Sequence, residues 1–108
     1  MLRFAPLVTI VLTVIAWAAL AQPSGRRHLV TIQNLQFLPA TLQIRAGDSV
    51  MWTNRDDRDH LIQGENGAFQ SGNLRTGESF TRRFDEPGTF AYGCAYHPRM
   101  RGRVVVER

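Results

Sequence analysis

One segment of this 108-residue chain concentrates its metal-binding chemistry: Cys94-Ala95-Tyr96-His97-Pro98-Arg99-Met100 sets a thiol, an imidazole and a thioether at intervals of three residues. The chain holds one Cys, three His and three Met, so a His at plus three and a Met at plus six from that Cys coincide in about one chain in a thousand. Two imidazoles and a thiolate in a trigonal set, with a weak thioether on the axis, hold copper for electron transfer. That arrangement requires a second histidine, and His60 is the candidate. A buried free Cys beside an unrelated surface His is the plainer alternative, and the two neighbours at fixed spacing argue against it.

The elements that position these residues belong to a small exported domain. Met1-Leu2-Arg3 is a positively charged start, Leu7 to Leu20 an apolar stretch and Ala19-Leu20-Ala21 a small-residue cleavage site, the pattern of a secretory signal cut after Ala21. The apolar run is short for a bilayer span and Pro6 interrupts its start. Residues 22–108 are then one domain, with the bacterial periplasm as the expected location. A domain of that size buries roughly 60–65% of its unfolded surface and gains from a further staple. A single Cys cannot supply an internal disulfide, and a thiol in an oxidising compartment needs an occupant. A bound metal meets both needs.

All 13 basic residues are Arg; without Arg3, 12 face 9 acids, a net +3. The arginines are scattered, with no dense basic stripe or aromatic interleaving, which argues against a nucleic-acid partner.

Short alternating segments bounded by Pro, Gly and Asn predict strands at His28–Gln33, Leu35–Phe37, Thr41–Arg45, Ser49–Asn54, Ser79–Phe84, Thr89–Cys94 and Gly102–Glu107, with a further segment beginning at His60. Val50, Trp52 and Asn54 share one face, as do Phe90, Tyr92 and Cys94, and Trp52 belongs to the core. Seven to eight short strands without helical periodicity imply an all-β Greek-key sandwich. Loops of a sandwich cluster at its two ends, so the loop from Arg55 to Asp59 and the loop carrying His97 and Met100 can meet if they share an end.

These residues resemble the cupredoxins, the type 1 blue copper proteins, and within them the amicyanin and plastocyanin branch. The resemblance covers nearly all of residues 22–108. It is carried by Met51-Trp52-Thr53-Asn54 with His60 six residues on, by Pro87-Gly88-Thr89 before Tyr92-Gly93-Cys94, and by the short Cys94–Met100 loop running into Gly102-Arg103-Val104-Val105-Val106. It implies a cupredoxin-like fold and one type 1 copper ion, bound strongly by His60, Cys94 and His97 and weakly by Met100. It further implies that Asn54 ties the two ligand loops together and steadies the Cys94 sulfur, and that Tyr96, Pro98 and Arg99 surround the edge of His97 through which an electron passes. The expected partners are redox proteins such as a c-type cytochrome or a periplasmic oxidoreductase, met by a monomer. The chain departs from the branch at Asp59, where Pro is usual, at Leu61, and at Arg99, where an aromatic is usual. Arg99 and Arg101 should select an acidic rim on the partner, so an amine dehydrogenase is not carried over.

An enzyme is excluded on histidine count, because only His28 remains once His60 and His97 are assigned and a multicopper centre needs more. The expected mature terminus, Gln22, is not the His that a copper monooxygenase uses. Asp56, Asp57 and Asp59, interleaved with Arg55 and Arg58, read as a solvated, self-neutralised loop, and His28 as a solvent-facing strand residue. Ser71 and Ser79 lack a base, so no small-molecule substrate is expected. The rival in another class is a module that stores or delivers copper.

Overall fold

The computed structural model describes residues 2–13 and 25–108; the expected cleavage site at Ala19-Leu20-Ala21 lies outside the described residues. Residues 2–13 carry no helix or strand, and among the described residues no helix is long and apolar enough to cross a membrane. The domain is built from strands: β1 Arg27–Gln33, β2 Gln36–Leu38, β3 Thr41–Arg45, β4 Ser49–Asn54, β5 His60–Gly64, β6 Gln70–Leu74, β7 Ser79–Arg83, β8 Gly88–Cys94 and β9 His97–Glu107, with one 3-10 turn at Glu65–Gly67. They form a four-stranded sheet, β2-β1-β4-β7, and a five-stranded sheet, β3-β9-β8-β5-β6. β1 runs parallel to β4 and β3 parallel to β9, while the remaining pairs are antiparallel.

The alternation read from the sequence fixes what each strand buries. Val50, Trp52 and Asn54 on β4 are fully buried, as are Val30 and Ile32 on β1, and they face Ile62, Tyr92, Cys94, Val104 and Val106 of the other sheet. Trp52 lies at the centre. Phe69, Phe80, Phe84 and Tyr92 surround its ring at centroid distances of 5.3–6.3 Å, within the range where aromatic pairs attract. Burial pushes the Tyr92 phenol up to about 12, so it stays protonated in the core.

Two elements differ from the sequence expectation. β6 was not expected, because Gln70-Ser71-Gly72-Asn73 is polar and contains Gly; it exists as an edge strand because β5 offers it a hydrogen-bonding edge. The last strand begins at His97 rather than Gly102. Cys94 pairs with His97 across a two-residue turn, Ala95 and Tyr96, so the expected ligand loop is a hairpin and Met100 stands within β9. Met100, Gly102, Val104 and Val106 alternate inward against Arg99, Arg101, Arg103 and Glu107 outward. Gly93 has no room for a side chain here, since a Cβ would come within 2.8 Å of the Met100 carbonyl.

One end of the sandwich gathers the end of β4, the start of β5, the end of β6 and the β8–β9 turn. The β1–β2 turn joins them, with Asn34 and Leu35 both at positive φ, the conformation a two-residue hairpin requires.

Candidate metal centre

Asn54 is the last residue of β4, and its buried side chain organises the connection to β5. Its Nδ2 donates to the Arg58 and Leu74 carbonyls, each at 2.9 Å, and its Oδ1 accepts from the Asp56 amide at 2.9 Å. Every polar atom of the amide is used, which is why an Asn can be fully buried here. It folds the loop between β4 and β5 and joins it to β6. Its hydrogen bonds do not reach the Cys94 segment; the two ligand-bearing segments are joined instead by the β5–β8 pairing and by the Ala95 amide donating to the Leu61 carbonyl at 2.9 Å. Asn54 therefore acts on the His60 side of the site.

Asp56 is not part of a solvated loop, contrary to the sequence reading. It is 8% exposed, and its carboxylate accepts from the Asn34 amide at 3.2 Å, the Leu35 amide at 2.9 Å and His60 Nε2 at 2.9 Å. Burial opposes the charge, but the Leu35 amide, the His60 ring and the Asn34 amide outweigh it and hold the carboxyl below its ordinary range. Its i,i+4 relation to His60 was visible in the sequence, but the positive-φ turn that aims two amides at it was not. Asp57 remains exposed, beside Arg58.

A carboxylate can only accept, so His60 Nε2 carries the proton and Nδ1 presents a lone pair. That lone pair faces Cys94. His60 Nδ1 stands 3.6 Å and His97 Nδ1 3.7 Å from Cys94 Sγ, and the three donor atoms all lie within 4.8 Å of one another. Metal bonds of roughly 2.3 Å to sulfur and 2.0 Å to nitrogen, meeting at roughly 115–120°, span such a separation. The three donors thus fit a trigonal set around one ion. His60 is fully buried and Cys94 nearly so, while His97 is partly exposed. Met100 is buried and shares with Cys94, Pro98 and Tyr92 the lining of a cleft of about 220 Å³.

Tyr96, Pro98 and Arg99, which neighbour His97 in the chain, are exposed, and Leu35 and Leu38 add apolar surface at this end. His28 lies far along the chain from this group and is not a free surface residue. Its Nε2 pairs at 2.9 Å with Asp48, which also accepts from the Arg26 and Arg45 amides.

A family model for the cupredoxin-like domain matches residues 6–106. The chain is a cupredoxin. This cupredoxin is 33% identical to amicyanin-alpha of Methylorubrum extorquens over 90 residues, covering 79% of this chain and 75% of that one. It is 38% identical to the chloroplastic plastocyanin of Tetradesmus obliquus over 86 residues, 68% of this chain and 59% of that one. Among solved structures, a purple cupredoxin from Nitrosopumilus maritimus matches with a TM-score of 0.72 at 32% identity, covering 74% of this chain and 99% of that one. An amicyanin variant solved in its Cu(I) form matches with a TM-score of 0.72 at 30% identity, covering 75% and 82%. Relatives named amicyanin and plastocyanin accord with a small blue copper protein, and the soft donor set of this cupredoxin fits that ion.

Proposed function

We propose that this protein is an exported single-electron carrier whose copper ion would be held by His60, Cys94 and His97, with the Met100 thioether as a weaker fourth donor. The observation that carries this reading is the convergence of two imidazole Nδ1 atoms on one buried thiolate position, with the far nitrogen of His60 fixed by Asp56. When bound, copper supplies the Cu(II)/Cu(I) couple. The chain's own contribution is to hold the donors still. His60 and Cys94 are locked in the core, and a fixed tautomer at His60 removes one source of reorganisation. His97 alone reaches solvent, so its ring edge is the path for the electron.

The surface supports a protein partner. Tyr96, Pro98, Leu35 and Leu38 give an apolar rim, and Arg99, Arg101 and Arg103 project from alternate positions of β9 beside it. Among the described residues none of these three arginines has an acidic partner in an ion pair, although Glu65 lines a cleft with Arg101 and Arg103; Arg99 does not share that cleft. An acidic partner, such as a c-type cytochrome or periplasmic oxidoreductase, is the complementary surface. The signal-like first 21 residues and a mature domain of 22–108 complete the reading, with periplasmic residence.

The optical and paramagnetic resonance spectra of the copper-loaded protein are the test. A carrier gives an intense thiolate-to-copper band and a reversible one-electron couple, both lost in Cys94→Ala. A colourless protein that holds and releases only Cu(I) would instead identify a storage or delivery module.

A further inference from the structure

Tyr96 immediately precedes His97 and Asp59 immediately precedes His60, and both side chains end on the same residue of β6. The Tyr96 hydroxyl donates to Asn73 Oδ1 at 2.8 Å, and Asn73 Nδ2 donates to Asp59 Oδ2 at 3.0 Å. The orientation of the amide is determined by chemistry: the Asp59 carboxylate only accepts, so it must meet the NH₂ group, which leaves the amide oxygen for the phenol proton. The backbone places Asn73 for this role, because Leu61 pairs with Asn73 and His60 with Leu74. The Leu61 carbonyl in turn holds the Ala95 amide.

We propose that Asn73 is a positioning residue: a crosspiece that clamps the Ala95–His97 turn to the segment bearing His60 and so limits the travel of the exposed histidine. This rests on the reading of His60 and His97 as copper ligands. The turn needs such a restraint. It has two residues, Tyr96 is half exposed, and its remaining ties to the sheet are the Ala95 bond and the Cys94–His97 pair. The primary amide suits this position because it offers its NH₂ to the carboxylate and its oxygen to the phenol at once. Asp would repel Asp59, and Ala would hold neither.

Asn73→Ala, Tyr96→Phe and the double variant, first without copper, form the test. Amide hydrogen exchange at Ala95–His97 is expected to quicken about five- to tenfold in each single variant, with the double variant no faster than the singles because both remove one device. In the copper-loaded forms, both single variants should raise the reduction potential alike, since a looser His97 favours the ion that tolerates fewer ligands, while the melting temperature stays within a few degrees. Unchanged exchange at the turn, or effects of the two substitutions that simply add, would overturn the proposal. Faster exchange in a protein that never forms a coloured copper site would leave the clamp standing and remove the electron-carrier reading instead.

Discussion

Asp56 shows how one side chain can set the character of a metal site without touching the ion. It accepts from two turn amides and from the outer nitrogen of His60, so the negative charge is held by the fold rather than by solvent. A carboxylate behind a ligand imidazole makes that ligand more basic and favours the more highly charged ion. Asp56→Asn should therefore raise the reduction potential. If Cu(II) affinity falls about tenfold more than Cu(I) affinity, the rise is about 59 mV, read by voltammetry on the loaded protein. Met100→Gln should act in the opposite direction and retain copper, because an amide oxygen is a harder donor than a thioether and only the weak ligand changes. Equilibrium titration should find Asn54→Ala destabilised by about 3 kcal/mol, since it leaves the Arg58 and Leu74 carbonyls and the Asp56 amide without their partner. At this scale the sequence was most informative where residue type is diagnostic. Cys94, His97 and His60 could be chosen because few alternatives existed. Asp56 could not, because three aspartates in four positions look alike until a turn from another strand selects one.

Elements determine whether those residues can meet. The alternation of β4, β8 and the end of β9 was legible because each buries one face and exposes the other. β6 was not legible, as its sequence lacks the apolar alternation and its strand state comes from the edge of β5. The start of β9 was hidden differently: Arg99-Met100-Arg101-Gly102-Arg103 does alternate, but Pro98 and the ligand spacing made a loop the natural reading. Glycines where the two hairpin strands approach each other carry the element-scale prediction. A Cβ at Gly102 would enter the Tyr92 ring, so Gly102→Ala should cost about 1–3 kcal/mol by overpacking, measured by urea unfolding. At the opposite end, Asp48 ties His28 on β1 to the Arg45–Asp48 turn. The His28 ring, with the Arg45 and Arg26 amides against the cost of burial, lowers its carboxyl from 3.8 to about 2. A depressed carboxyl contributes stability above its unfolded value and loses it as pH falls from about 4 to about 2. Melting temperature should drop through that window, and less steeply in Asp48→Asn.

For the molecule as a whole, the division of labour runs between a buried half-site and an exposed one. His60 and Cys94 belong to the core, and His97 reaches the surface. On the proposed electron exit at His97, two copies exchanging an electron bring their Arg99 and Arg101 faces together, which like charge opposes. Electron self-exchange, followed by NMR line broadening in mixtures of the two oxidation states, should accelerate as salt is added and screening sets in. Asn73 and Asp56 also take on their meaning only here, because each joins segments that are remote in sequence.

The row Arg99, Arg101, Arg103 has one more property. A guanidinium is planar and offers its N–H donors as a fixed fork that can meet a carboxylate through two parallel bonds, whereas an ammonium is a point charge with no preferred plane. On the docking reading proposed above, exchanging Arg99 for Lys should therefore loosen the grip on a carboxylate-bearing counterpart even though the charge is conserved.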